Sequence, residues 1–351
     1  MEMTFNANDI AKARQLFDTA SSVAILAHAG PDGDALGSSL ALYHLLSSLG
    51  KTTNVIYPND FAANLRWMPA ADRALVFRKN PVAVSRIISD ADLILICDLN
   101  ELTRLNTGSK TDGIVGLSLL VQQSSAPKLL IDHHEFPQAD QFDLLFSRPE
   151  LSSASEVVYR LIDDMRMLEL APFDFFQCVL TGMMTDTGFF HYGCQYPDFF
   201  HIVADIVARG VNITLLTQNI SCHEREQKIR LTAYLLDRKL ELFPEFATAI
   251  TILTDDEKRR FNYESGDAEG YVNIPLDIEG INRSIFIKEE RQDGIVKLSF
   301  RSQGDVNVEQ LARLHFNGGG HFNAAGGEMR DLTVQQVRDM LIHILKDETR
   351  I

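Results

Sequence analysis

Short apolar runs recur along the first half of the chain, and each ends on a residue able to ligate or ionise. Residues 23–27 stop at His28, residues 92–97 stop at Asp98, and residues 129–131 stop at Asp132. Runs of this length without polar alternation predict strands buried on both faces. Between them the spacing turns helical: residues 35–49 read as an amphipathic helix closed by Gly50, residues 52–57 as the next strand, and the stretch around 114–123 as another helix. Strands alternating with helices predict an α/β fold, a parallel sheet with helices on both faces. Ligands of open α/β sheets bind beyond the C-terminal strand ends. His28, Asp98 and Asp132 are therefore expected in one crevice.

The pattern changes further on. Residues 154–210 are helical, and residues 222–242 read as a long polar helix connecting two domains. A strand is expected over 246–253, a β-pair over 285–288 and 295–301, and helices over 308–315 and 334–345. Gly318-Gly319-Gly320 reads as a tight turn ahead of Ala324-Ala325-Gly326-Gly327. These features predict a smaller C-terminal α+β domain, with a division at 1–220, a connector at 221–240 and a second domain at 241–351. A chain of 351 residues is long enough for two cores.

Net charge refines the choice of partner. At −15 it argues against binding long nucleic acid, which needs a basic surface, but not against a short phosphorylated ligand whose charge bound cations would offset. Cys97, Cys178, Cys194 and Cys222 form no CxxC pair and read as reduced, mostly buried thiols. The N-terminus shows no signal-like or membrane-spanning stretch, so a cytoplasmic protein without membrane contact is expected.

The candidate chemistry lies in four pieces. Asp32 and Asp34 flank Gly33, and two carboxylates so spaced can face different metals; alone, Pro31-Asp32-Gly33-Asp34 reads as a solvated turn. Asp98 follows Leu93-Ile94-Leu95-Ile96-Cys97 and, at the edge of a buried core, needs a metal, a base, several donors or a helix to cap. Asp132-His133-His134 repeats that situation, and Asp186 sits in a helical stretch of threonines and glycines. Imidazoles and carboxylates without thiolates suit Mn²⁺ and similar cations better than structural zinc. Arg301, followed by Ser302 at a strand end, reads as a phosphate fork or a surface ion pair, and Arg104 as a weaker phosphate candidate. His191, His223 and His315 read as structural or surface histidines.

In this order the motifs resemble the DHH phosphoesterase superfamily. They are His28 to Ser38 (HxxPDGDAxGS), Asp98 after its apolar run, Asp132-His133-His134, and Thr181 to Phe190 (TGxxTDTGxF). Gly318 to Gly326 (GGGHxxAAG) is similar to the glycine-rich motif of the associated DHHA1 domain. The subfamily it resembles is that of the nano-RNase/pAp phosphatases, which shorten very short RNA to 5′-mononucleotides and dephosphorylate 3′-phosphoadenosine-5′-phosphate (pAp).

The resemblance implies two divalent cations, Mn²⁺ in the first place with Mg²⁺ as the alternative, about 4 Å apart and bridged by a nucleophilic hydroxide. His28, Asp32 and Asp98 would hold one; Asp34, Asp98, His133 and Asp186 the other. Asp132 would orient His133, and His134 would face the substrate phosphate, stabilising charge or protonating the leaving oxygen. Asp98, Asp132 and His134 are thus the catalytic candidates. Arg301, Ser302, Gly318, Gly319, Gly320 and His321 are the substrate-binding ones. Gly30 departs from relatives that carry Asn or another polar residue there. The rivals are a cyclic- or linear-dinucleotide phosphodiesterase and, from another class, a metal-dependent nucleotide-binding regulator. A homodimer is left open.

Overall fold

The computed structural model describes residues 5–106, 116–221 and 225–348. The described residues divide into two compact units, one ending before Glu224 and one running from there onward.

The first unit is built on α1 (Ala7–Thr19), β1 (Ser22–Ala27), α2 (Gly33–Ser48), β2 (Thr52–Tyr57), β3 (Leu75–Val76), α3 (Pro81–Ser89), β4 (Leu93–Cys97), α4 (Leu117–Gln123), β5 (Lys128–Asp132) and β6 (Leu144–Ser147). It continues through α5 (Ala154–Asp164), α6 (Phe173–Asp186), α7 (Pro197–Ala208) and α8 (Ile213–Ser221). Its six strands are all parallel, in the order β3-β2-β1-β4-β5-β6. The expected α/β architecture is present.

The strand sequences explain the layering. Val23, Ile25 and Ala27 of β1 enter one apolar core, with α2, α5 and α6, while Ala24 and Leu26 enter another, with α3 and α4. A strand covered on both faces has no polar side to show, hence the unbroken apolar run. The chain order reverses at β1 and β4, the position where such sheets open a crevice.

The second unit holds α9 (Glu226–Tyr234), β7 (Leu240–Phe243), β8 (Thr248–Leu253), α10 (Asp255–Arg260), β9 (Arg283–Glu290), β10 (Ile295–Ser302), α11 (Val308–His315), β11 (Gly319–His321), β12 (Ala324–Arg330) and α12 (Val334–Glu348). Its sheet runs β11-β12-β10-β9-β8-β7, parallel only between β8 and β9. Alternate residues Val296, Leu298 and Phe300 of β10 are buried against α11 and α12.

Three expectations change. The helix expected over 222–242 is helical from Glu226 through a π-helical turn, Leu235–Lys239, after which Leu240–Phe243 is a strand paired with β8. Cross-strand pairing outweighs the helical periodicity there. The helix after His28 begins at Gly33 rather than Ala35, because the Asp32 side chain caps it. The three glycines do not form a turn: Gly319–His321 is an edge strand paired with β12. Ile114, Cys222 and His223 lie outside the described residues. Cys97, Cys178 and Cys194 are buried and unpaired. Among the described residues no single helix is long and apolar enough to cross a membrane, although the bent pair α7 and α8 together reach that length and apolarity.

Candidate metal centre

Strand register brings the candidate ligands to one level. Ala27 stands opposite Cys97, and Cys97 opposite Ile131, so His28, Asp98 and Asp132 leave the sheet side by side. Asp98 adopts a left-handed backbone, φ +57°, which costs a non-glycine residue on the order of 1–2 kcal/mol. Its N–H donates to the Ile131 carbonyl at 3.0 Å, which fixes the bend.

The other carboxylates come from helix ends. Asp32 Oδ1 accepts from the backbone N–H groups of Asp34 and Ala35, both at 3.1 Å, and Oδ2 lies 3.8 Å from His28 Nε2. Asp34 lies in the first turn of α2 and is held by the N-terminus of α5: Oδ2 accepts from Ala154 N–H at 2.7 Å and Oδ1 from Ser155 N–H at 2.9 Å. Asp186 is the last residue of α6. At Gly37, helix α2 meets the main chain of α6, where a Cβ would lie 2.7 Å from Gly182 Cα, and a Cβ on Gly182 would run into the side chains of Ser155 in α5 and Asp34 in α2. That close backbone approach sets the spacing of Asp34 and Asp186.

Two imidazole–carboxylate groups result. His28 Nε2 is 3.3 Å from Asp98 Oδ2, while His133 Nε2 is 3.7 Å from Asp98 Oδ1, 3.3 Å from Asp186 Oδ2 and 3.9 Å from Asp34 Oδ2. The two oxygens of Asp98 thus face opposite groups. Ligands on one octahedral cation with bonds near 2.1 Å stand roughly 3.0 Å apart when adjacent and roughly 4.2 Å when opposite. The observed separations fit that range, and both groups supply only nitrogen and oxygen donors.

Electrostatics point the same way. Burial opposes charging of His28, yet hydrogen bonding and charge from Asp32 and Asp98 overcome it, and the ring is pushed up to about 10. Burial likewise opposes charging of His133, and the charges of Asp186, Asp34 and Asp98 push it up to about 9. Burial and the charges of Asp98 and Asp186 raise Asp34 well above the usual carboxylate range. Burial would raise Asp98 too, but His28 in particular holds it well below that range. So many buried carboxylates call for positive charge, which protons or cations can supply.

Asp132 is fully buried, and its partner is His134 rather than His133. His134 Nδ1 donates to Asp132 Oδ1 at 2.7 Å, and His134 N–H to Oδ2 at 3.1 Å. On its far side, His134 Nε2 accepts from the Arg104 guanidinium at 2.9 Å. His133 instead turns Nδ1 toward the Leu151 carbonyl, 3.4 Å away. Peptide geometry accounts for the difference: Asp132 folds back onto the residue two positions on, leaving its immediate neighbour to the next loop.

In the second unit, Arg301 is the penultimate residue of β10, and its guanidinium Nη1 donates to the Phe300 carbonyl at 2.9 Å. Ser302 Oγ donates to the Val306 carbonyl at 2.6 Å and accepts from Asn323 Nδ2 at 2.9 Å, so it braces the β11–β12 connection. Gly318, Gly319, Gly320 and His321 lie along or beside the edge strand. A Cβ on Gly318 would sit 1.9 Å from the Gly326 oxygen and one on Gly320 2.5 Å from the Ala324 oxygen; these glycines let two backbones meet.

The supporting residues of α5 escaped the sequence reading. Ser153 caps α5 through the Glu156 N–H at 3.0 Å, and the fully buried Glu156 accepts from Ser152 N–H, Ser152 Oγ, Tyr196 and Arg160. The Ser153-x-x-Glu156 spacing is a capping signature that marks this helix start. Nothing in the sequence announces that its N-terminus meets Asp34. Gly30, where relatives differ, has φ +70° and donates its N–H to Asn59 Oδ1 at 2.7 Å.

The parallel sheet carries paired imidazole–carboxylate groups, a candidate metal centre, at its switch point, and the comparisons name the family. The DHH family N-terminal domain matches residues 22–183 and the DHHA1 domain residues 247–348. The chain belongs to the DHH phosphoesterases, metal-dependent hydrolases, and carries the DHHA1 domain. It is similar to the crystal structure of an exopolyphosphatase-related protein from Bacteroides fragilis, with TM-score 0.91 and 34% identity over 99% of this chain and 98% of that one. It is 27% identical over 325 residues to the bifunctional oligoribonuclease and PAP phosphatase NrnA of Thermus thermophilus, covering 92% of this chain and 89% of the relative. It is 22% identical to the cyclic-di-AMP phosphodiesterase PdeA of Listeria monocytogenes, over 94% of this chain but 48% of that protein.

Proposed function

We propose that this protein hydrolyses short oligoribonucleotides to 5′-mononucleotides and pAp to AMP. The observation that carries the reading is Asp98, whose two oxygens face two separate imidazole–carboxylate groups. In this reading His28, Asp32 and Asp98 hold one divalent cation, and Asp34, Asp98, His133 and Asp186 a second, with Mn²⁺ the preferred ion. Such a pair supplies acidification of water and neutralisation of charge on the attacking and leaving oxygens. The chain's own part is to fix the spacing through Asp98, to hold Asp34 through the α5 amides, and to keep His134 oriented by Asp132. Arg301 and the glycine-rich strand of the DHHA1 unit would bind the substrate's terminal nucleotide. Coverage of nearly the whole Thermus thermophilus NrnA supports this substrate class.

The likeness to a cyclic-di-AMP phosphodiesterase supports a second reading, a dinucleotide phosphodiesterase acting through the same centre. The deciding experiment is product-resolved hydrolysis of 5′-labelled RNAs two to five nucleotides long with added Mn²⁺, with pAp and cyclic di-AMP in parallel. Stepwise release of 5′-mononucleotides is the expected result. Cleavage of cyclic di-AMP with none of RNA or pAp would replace the first reading by the second.

A further inference from the structure

Arg104 joins the three loops that follow β1, β4 and β5. It stands in the 3₁₀ turn Leu102–Leu105, which follows Asp98 and is pinned by the buried side chains of Leu102 and Leu105. Gln141 Oε1 fixes the start of that turn by accepting from Leu102 N–H at 2.8 Å. The Arg104 carbonyl accepts from Ala29 N–H at 2.8 Å and so holds the loop after β1 beside His28. Its guanidinium donates to His134 Nε2 at 2.9 Å, on the loop after β5.

The direction of these bonds is dictated by chemistry. A guanidinium has N–H groups and no acceptor, so His134 Nε2 accepts and Nδ1 carries the hydrogen given to Asp132. With its two ring nitrogens so engaged, His134 presents no Nε2 hydrogen to a leaving oxygen while Arg104 is in place. A guanidinium offers five N–H donors in a planar fork, and one amino group suffices for His134. Among the described residues no other bond takes up the rest of the half-buried fork, which leaves it able to pair with phosphate oxygens bidentately.

We propose that Arg104 is the phosphate-binding cation of the catalytic unit, and that Asp132 and His134 serve as the relay that aims it. This rests on the phosphoesterase reading of the same centre and assigns His134 a positioning role. The ligand class is a phosphate monoester or diester, met at its non-bridging oxygens.

The test is the affinity of inorganic phosphate for the full-length, Mn²⁺-loaded protein, measured by calorimetry on wild type, Arg104→Ala and Arg104→Gln. Arg104→Gln retains the stem should Arg104→Ala fold poorly. We expect phosphate to bind at least tenfold more weakly to both variants, Mn²⁺ stoichiometry to be unchanged, and added guanidinium to restore part of the affinity to Arg104→Ala. Where a substrate is turned over, kcat/KM should fall by about 10²–10³, as on removing one oxyanion donor. His134→Ala should add little to Arg104→Ala, since the two act as one unit.

Wild-type phosphate affinity in both variants would overturn the proposal. So would a loss that guanidinium does not mend and that tracks a loss of Mn²⁺, because it would mean Arg104 only braces the loops. A wild type that cleaves neither short RNA nor pAp, yet binds phosphate through Arg104, would refute the substrate reading and uphold this one.

Discussion

The two sheets of this protein use their strand ends in opposite ways. In the first unit every pairing is parallel, the strands are buried on both faces, and a common register delivers His28, Asp98 and Asp132 to one edge. In the second, pairings are mostly antiparallel, and the glycine-rich segment lies along the sheet's edge. Chemistry in the first sheet therefore depends on which side chain follows each run. In the second, the glycine-rich edge depends instead on how closely main chains approach.

Asp98→Ala should give the largest effect. Turnover should fall by more than about 10³-fold, because the variant loses the group that faces both imidazoles. Calorimetry should show Mn²⁺ binding weakened, with circular dichroism unchanged. Near-wild-type activity in a metal-replete assay would remove Asp98 from the centre.

Gly182→Val attacks the first unit through its backbone. The new side chain meets Ser155 and Asp34, so urea unfolding should show a loss of about 2–4 kcal/mol, together with weaker Mn²⁺ binding. If stability falls while Mn²⁺ affinity stays, the helix crossing does not set the ligand spacing. Gly318→Ala is the counterpart in the second unit. It should cost about 1–3 kcal/mol by forcing β11 from β12, and leave Mn²⁺ affinity unaltered.

Arg301→Ala should be milder: we expect KM to rise with kcat nearly kept, whereas Asp186→Ala should lower kcat and Mn²⁺ occupancy. Indistinguishable defects would dissolve the division of labour between the units. The smallest effect concerns pH. In chelator-treated protein, His28 and His133, pushed up to about 10 and about 9, stabilise the fold fully below about 6.5, and that contribution is lost as pH rises through those values. The melting temperature should accordingly decline between pH 7 and 10. A flat profile would mean that the imidazoles are not held by their carboxylates.

What the sequence makes legible follows the same contrast. An apolar run that ends on Asp98 records both the strand and the exit of the chain toward ligand, because burial and period are local properties. The start of the next helix reads two residues late, at Ala35, because cap and ligand duties compete for the Asp32 carboxylate, and only the structure shows each oxygen taking one. Arg104 meeting His134, or the α5 amides meeting Asp34, joins residues 30 and 120 positions apart. No local pattern encodes such pairs. The glycine segment misleads for a related reason: flexibility suggests a turn, whereas here glycine serves strand-to-strand proximity.

The grip of α5 on Asp34 bears on the order in which the centre is assembled. A carboxylate whose two oxygens are already held by main-chain amides keeps its place with or without an ion. Folding would then precede loading, unlike small domains that collapse only around their metal. Cation exchange becomes a matter of entry and departure from a finished cradle, so chelation and reloading should cycle without refolding, and which ion is resident would follow supply as much as affinity.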